Sequence, residues 1–235
     1  MGEMIGNIAH QWRQPLSVIS TVSTGIKLQN EFGALNDETL NKYCDQINEN
    51  AQYLSQTIDD FKNFVKDDRE LTTFNLHDTL QSFLYLMEPS IKTHHIDIVY
   101  DISDDLEIQG YQNELKQCFI NIFNNSKDVL NEQAKEHRTI KITAAKKEND
   151  KVIIKFTDSG GGIPEDIIDK IFEPYFTTKH QSQGTGLGLH MTYNIIVNGM
   201  GGEMDVYNVE FSCIEKKTTC KGAEFVLQIP LKGDR

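Results

Sequence analysis

Apolar residues over the first 65 positions recur at alternating intervals of three and four. Ile5, Ile8, Trp12, Pro15, Ile19, Val22 and Ile26 trace one seam. Leu40, Cys44, Ile47, Ala51, Leu54, Ile58, Phe61 and Val65 trace a second. This spacing is the a/d pattern of helices packed side by side. Between the seams, Phe32-Gly33-Ala34-Leu35-Asn36 breaks the period, with Gly33 as helix terminator and Asn36 or Asp37 as the next N-cap. Two helices with one stripe each cannot close a core alone. Pairing two such hairpins buries both stripes, so the pattern predicts a homodimeric four-helix bundle through residues 1–66. The competing arrangement is a hairpin laid against the rest of its own chain.

The pattern changes after Lys66-Asp67-Asp68-Arg69-Glu70, a charged stretch read as a linker. Residues 76–94 read as a helix with Pro89 near its end, and Ile96, Ile98, Tyr100 and Ile102 alternate as a strand. Helical period returns over 113–131, with Leu115, Phe119, Ile122 and Phe123 on one side. Ile140 and Ile142, then Val152, Ile154 and Phe156, give two strands joined by a charged turn at 146–150. A glycine-rich turn, a short helix (165–171), a polar loop, a helix (187–198) and strands at 203–209 and 223–229 complete the series. Neighbouring strands with helices interspersed imply a mixed sheet covered by helices on one face. The fold class is therefore α+β: an antiparallel helical hairpin over 1–66, then an α/β sandwich over 71–235.

Composition narrows the function. With 38% hydrophobic and 25% charged residues in 235, the chain can bury a sizeable core. Its charge, 23 − 35 = −12, disfavours nucleic acid as a partner. Cys44, Cys118, Cys213 and Cys220 show no CxxC spacing, which favours reduced thiols and a cytoplasmic setting over a disulfide or zinc framework. Cys213 and Cys220 flank Lys216-Lys217 in a hairpin loop where they can meet, but the reduced state is the expectation. No run of 18 apolar residues exists, so no membrane contact is expected of this segment. The helical pattern is already under way at the start, as in a piece cut from a longer membrane protein.

Two glycine clusters bracket a polar loop: Asp158-Ser159-Gly160-Gly161-Gly162-Ile163-Pro164, and Gly184-Thr185-Gly186-Leu187-Gly188-Leu189. The second opens into a helix, whose free N–H groups suit a phosphate. It lacks the Gly-Lys-Ser/Thr of a Walker loop and the sixth glycine of GxGxxG. Asp158 ends an apolar strand, where a carboxylate can accept a hydrogen bond from an exocyclic amine such as that of adenine. Singly, each cluster also fits a tight turn. On the preceding helix, Asn121, Asn125 and Asp128 share one face. Amide oxygens there can complete the shell of a Mg²⁺ ion held also by phosphates and water.

The order of these segments resembles the catalytic core of the sensor histidine kinases of two-component signalling. Residues 121–128 resemble its N box, 158–164 its G1 box, 171–179 its F box and 184–189 its G2 box. Ile8-Ala9-His10-Gln11-Trp12-Arg13-Gln14-Pro15-Leu16 resembles its H box. The resemblance implies a dimerisation and phosphotransfer hairpin followed by a Bergerat-type ATP-binding domain. It implies ATP and Mg²⁺, and a response-regulator receiver domain as partner. The phosphotransfer residues would be His10, Gln11, Arg13 and Gln14. Nucleotide contacts would come from Asn121, Asn125, Asp128, Asp158, Gly160, Gly162, Lys179, Gly184, Thr185, Gly186, Leu187 and Gly188, with Asn125 the metal ligand.

Heptad position gives His10 an independent reading. With Ile5 at a and Ile8 at d, His10 falls at f, facing solvent, and Pro15 farther along predicts a local bend beside it. Imidazole, with a pKa of about 6.5, offers a ring-nitrogen lone pair at neutral pH. Family members usually carry an acidic residue next; this chain has Gln11, which cannot take a proton at neutral pH. Gln14 stands where many members carry Thr or Asn, and its amide can orient a water for dephosphorylation of the regulator. Related chaperone and mismatch-repair ATPases carry a water-activating glutamate where this chain has Asn121, which favours kinase over hydrolase. A dimeric nucleotide-binding scaffold is the other alternative. His180-Gln181-Ser182-Gln183 has no large apolar anchor and is expected to move as a lid. Phe172, Tyr175 and Phe176 are expected to pack that loop or dock it on the hairpin. His77, His94, His95, His137, His180 and His190 lack ligand-spaced partners.

Overall fold

The computed structural model describes residues 2–65, 71–103, 105–133, 138–147, 150–179, 185–213 and 219–231. The expected linker at 66–70, the segment 180–183 and Gly184 lie outside these. The chain forms two compact units: Met1–Asp67 with Thr177–Gly186, and Asp68–Phe176 with Leu187–Arg235. Residues 177–186, expected in the second unit, thus group with the first.

In the first unit, α1 (Gly2–Glu31) and α2 (Asp37–Val65) form the hairpin. Helix α1 runs through Pro15 without interruption. Gly33 ends it in the left-handed conformation (φ +66°), which a Cβ would disfavour. The Asn36 side chain then caps α2, accepting from the Thr39 N–H at 2.8 Å. The α1 seam falls where expected: Pro15 and Val22 are buried, and Trp12, Ile19 and Ile26 half-buried. Gly25 lets the Tyr43 ring approach to 3.8 Å of its Cβ position, and Gln29 donates to the Tyr43 hydroxyl at 3.0 Å.

The α2 seam needs correction. Leu40, Ile47 and Leu54 are half-buried, but Cys44 and Ala51 are exposed and Ile58 is 47% exposed. Tyr43 and Asn50 take their places toward the interior of the hairpin. The apolar stripe is broader than one neighbouring helix can cover, so one side of it faces outward. Val18 and Leu28 do the same on α1, and Phe32, in the turn just after it, is 83% exposed.

The second unit begins with β1 (Thr72–Asn75), α3 (Leu76–Thr93), β2 (Asp97–Ile102) and β3 (Glu107–Gly110). It continues with α4 (Gln112–Gln133), β4 (Thr139–Lys147) and β5 (Lys151–Asp158). A single 3₁₀ turn, Ile168–Lys170, replaces the short helix expected at 165–171. Helix α5 (Gly188–Tyr193) passes into a wider π turn at Asn194–Gly199, and β6 (Glu203–Ser212) and β7 (Thr219–Pro230) close the series.

The sheet order is β2-β4-β5-β7-β6, with β2 parallel to β4 and the other pairs antiparallel. Alternate residues Ile140 and Ile142, Val152, Ile154 and Phe156, and Phe225, Leu227 and Ile229 are all buried, against α3 and α4 residues of the same core. Phe83 of α3 meets Phe119, Phe123 and Phe156 edge-on, with centroids 5.8, 6.0 and 6.4 Å away. The short pair β1–β3, with only four residues in each strand, was not anticipated.

Candidate functional site

The carboxyl end of β5 carries Asp158, 4% exposed. Ser126 of α4 donates its hydroxyl to Oδ2 at 3.1 Å. The backbone N–H groups of Gly160 and Ala223 donate to Oδ1 at 2.9 and 3.3 Å. Burial pushes the Asp158 carboxyl above its usual range, and these three donors pull the other way. A buried carboxylate fixed on its inner side by protein donors is a directional acceptor for a ligand N–H.

The turn after Asp158 is fitted to its surroundings on three sides. A Cβ on Gly160 would lie 2.5 Å from Val129 Cγ1 of α4. Gly162 has φ +92°, and a Cβ there would meet Asn208 Oδ1 at 2.6 Å. A Cβ on Gly222 would lie 1.5 Å from the Asp158 carbonyl oxygen, so β7 passes in direct backbone contact with the site. Asn208 of β6 pairs with Ile163 like a neighbouring strand. Its Oδ1 accepts the Ile163 N–H, and its Nδ2 donates to the Ile163 carbonyl, both at 2.7 Å. The Gly161 N–H donates to the Lys221 carbonyl at 3.0 Å.

Helix α4 reaches this turn through Ser126, bonded to Asp158, and Val129, against Gly160. Asn121 works between helices: its Nδ2 donates to the Gly188 carbonyl at 3.1 Å and the Thr192 hydroxyl at 3.3 Å, and its Oδ1 accepts from Gln117. Asn125 donates its Nδ2 to the Asn121 carbonyl at 3.0 Å. Asp128 lies 3.6 Å from the Lys127 ammonium. Gly188 and Leu187 sit at the start of α5, beside Asn121.

His190 anchors the F-box segment. Its Nδ1 lies 2.9 Å from the Phe172 carbonyl and its Nε2 2.9 Å from the Asn194 amide. The Phe172 carbonyl can only accept, so Nδ1 carries a proton and donates to it. Phe172 also packs on Tyr193, with centroids 5.5 Å apart. Tyr175 holds a positive φ of 68°.

Asn121, Asn125, Asp128, Asp158, Gly160, Gly162, Leu187 and Gly188 thus belong to one unit. Lys179, Thr185 and Gly186 belong to the other, and Gly184 is outside the described residues. Arg13 is exposed on α1; the side chains of His10, Gln11 and Gln14 are outside the described residues. Among the described residues no cluster of His, Cys, Asp and Glu forms a metal site, and no helix is long and apolar enough to cross a membrane. Ser126, Asn208, Gly222 and His190 were missed as site residues. Ser126 adjoins Asn125 in the N box and was within reach of the sequence; Asn208 and Gly222 become neighbours of the turn only through strand order.

The expectation of wholly reduced thiols is overturned. Cys213 and Cys220 are joined by a disulfide across the end of the β6–β7 hairpin, with Cα atoms 5.9 Å apart. Sequence spacing could not supply that distance, which follows from the strand register. Cys44 and Cys118 are free, and burial pushes the Cys118 thiol strongly up.

Residues 110–233 match the family model for histidine kinase-, DNA gyrase B- and HSP90-like ATPases. Residues 1–70 match that of the His kinase A (phospho-acceptor) domain. Sensor histidine kinase ZraS of Salmonella typhimurium is 30% identical over 233 residues, covering 98% of this chain and 46% of the relative. The chain therefore spans about half the length of that relative, and 24% of the two-component sensor PprA of Pseudomonas aeruginosa. The solved catalytic domain of histidine kinase ThkA is 34% identical, with TM-score 0.58 over 69% of this chain and 97% of that one. ThkA in complex with the response regulator TrrA is 28% identical, with TM-score 0.71 over 98% of this chain and 61% of that one.

Proposed function

The chain belongs to the sensor histidine kinases of two-component signalling, and on that premise we propose that it phosphorylates itself on His10 from ATP. The phosphoryl group then passes to an aspartate on a response-regulator receiver domain. The observation that carries the nucleotide half is Asp158: a buried carboxylate oriented by Ser126, Gly160 and Ala223, suited to the exocyclic amine of adenine. Asn125 would hold Mg²⁺, assisted by phosphate oxygens and water, and the ion would supply charge neutralisation at the phosphates. Asp128, Leu187 and Gly188 complete the nucleotide contacts from the same unit; Lys179, Gly184, Thr185 and Gly186 are assigned to the phosphates by the family resemblance of the sequence alone.

The chemical step is an in-line displacement. A neutral His10 ring nitrogen attacks the γ-phosphorus, the bond to the β,γ-bridging oxygen breaks, and ADP leaves. Catalysis rests on positioning and charge neutralisation, because no strong base is needed to free the imidazole lone pair. The other ring nitrogen must lose its proton as the phosphoryl group arrives. Gln11 can accept a hydrogen bond from that N–H but cannot take the proton, which leaves directly to water. Arg13 lies one turn along as a cationic contact for the incoming group. Asn121 supports the kinase reading over hydrolysis: its amide is bonded to Gly188 and Thr192, and it offers no base to activate water.

The homodimer through residues 1–66 is supported by the outward apolar side chains Val18 and Leu28 on α1, Phe32 in the turn after it and Ile58 on α2, which a second hairpin would cover. In this reading the segment works on the cytoplasmic side, where ATP and a response-regulator receiver domain would be met.

Incubating the chain with γ-labelled ATP and Mg²⁺ tests the proposal. Acid-labile label on the wild type and none on His10→Gln is the expected result. Free phosphate without protein label would overturn it in favour of an ATPase. Tight nucleotide binding with neither would point to a scaffold.

A further inference from the structure

The far end of the β6–β7 hairpin stands apart from the sheet. Strand β5 covers β7 from Lys151↔Pro230 only as far as Thr157↔Glu224. Strands β6 and β7 stay paired beyond that, from Asn208↔Ala223 to Ser212↔Thr219. That extension is a two-stranded ribbon, and such ribbons are marginally stable in water. Yet three of the contacts that shape the turn after Asp158 come from it. These are the Lys221 carbonyl to the Gly161 N–H, the Ala223 N–H to Asp158, and the Asn208 amide to both backbone groups of Ile163. The Cys213–Cys220 disulfide closes this ribbon at its tip, and Cys220 is the immediate neighbour of Lys221.

We propose that Cys213 and Cys220 are a reversible oxidation site whose disulfide state sets the affinity of the Asp158 turn for nucleotide. The proposal rests on the reading of that turn as part of an ATP site. Closed by the disulfide, the ribbon presents Asn208, Lys221 and Ala223 already in place, and binding orders nothing further. Opened, the ribbon frays at its tip, and part of the binding energy is consumed in restoring the register that the turn depends on.

The chemistry is thiol–disulfide exchange with a low-molecular-weight disulfide as oxidant. Cys220 is half-exposed and Cys213 buried, so Cys220 attacks first. Its thiolate displaces one external thiolate and forms a mixed disulfide. The Cys213 thiolate then attacks the Cys220 sulfur and expels the second external thiolate. Two protein thiols are oxidised, one external disulfide is reduced to two thiols, and the two protons pass to the departing sulfurs through water. The reverse sequence, begun by an external thiol, reopens the pair. The deeply buried Cys118 does not compete, and Cys44 lies on α2, outside the unit that holds the turn.

The test equilibrates the full chain in buffers of oxidised and reduced glutathione, alkylates remaining thiols, and maps them by peptide mass. ATP binding is measured by calorimetry at both ends of the range. The expected result is a 213–220 crosslink that forms and reopens within that range, with ATP bound about tenfold more tightly in the oxidised protein. Cys213→Ser and Cys220→Ser should both show the weaker affinity regardless of buffer. A pair that never closes, or equal affinity in the two states of the wild type, would overturn the proposal while leaving the nucleotide site standing. ATP failing to bind in either state would overturn the nucleotide reading and this inference together.

Discussion

Replacing Asp158 with Asn tests whether this carboxylate exists for the ligand rather than for the fold. The carboxylate has two inner obligations: Oδ1 serves the Gly160 and Ala223 N–H groups, and Oδ2 serves the Ser126 hydroxyl. An asparagine can meet both. Its oxygen takes the two N–H groups, and its NH₂ faces Ser126, whose hydroxyl turns to accept. The apo protein should therefore change by no more than about 1 kcal/mol at neutral pH, with the cost of burying a charge removed. The ligand loses far more. A charge-assisted hydrogen bond of about 1.5–3 kcal/mol disappears, and an NH₂ now faces the incoming amine, leaving both donors unsatisfied. Together these amount to about 3–4 kcal/mol, or about 10²- to 10³-fold in affinity.

The pH dependence carries the same signature. Burial raises the Asp158 pKa, so the folded protein holds that proton more tightly than the unfolded chain. Stability due to Asp158 is fully present below the ordinary aspartate value of 3.8 and is lost as pH climbs through the higher folded value. The Asn variant should lack this component. Urea denaturation across acidic to neutral pH, paired with calorimetric ATP titration, measures both. An Asn variant that binds ATP within a few-fold of wild type, or that unfolds several kcal/mol more easily at neutral pH, would refute the assignment.

Gly222→Ala should destabilise the second unit by roughly 3 kcal/mol or more, because the new Cβ would occupy the Asp158 carbonyl; urea denaturation reads this directly. Gln11→Glu, by supplying a proton acceptor beside His10, should raise the autophosphorylation rate by about 10-fold or more, measured from the initial rate of label incorporation. Gln14→Ala should abolish hydrolysis of the phosphorylated regulator while leaving His10 labelling intact, as followed by loss of label from the purified receiver domain. Unchanged hydrolysis would remove Gln14 from that role.

Much of this was legible in the sequence because the decisive signals are local. The alternation of Ile140, Ile142, Val152, Ile154 and Phe156 identifies strands that are buried on one face, and the three-four spacing from Trp12 to Ile26 identifies a helix seam. Asp158 and Gly160 to Gly162 lie within five residues, so the turn declares itself. What stayed hidden depends on register between distant strands. Asn208 reaches Ile163, 45 positions away, and nothing around Asn208 distinguishes it from any other polar residue on an edge strand. The same register brings Cys213 and Cys220 into bonding distance, against the expectation drawn from compartment and spacing alone. Cys44, Ala51 and Ile58 failed differently: period located the stripe, but not which part of it the neighbouring helix would cover. Strands β1 and β3 are too short for alternation to rise above chance.

The position of β7 in the sheet has a consequence for biogenesis. It follows every other described strand in sequence, yet it lies between β5 and β6, with Thr157 and Glu224 pairing across 67 residues. A nascent chain can form the hairpin helices and the β4–β5 pair early, but the sheet has a gap until this strand emerges. Asp158 likewise acquires its Ala223 donor and its wall at Gly222 only then. The surroundings of Asp158 are thus completed only by a pairing between strands distant in sequence, the kind of contact that forms late in folding.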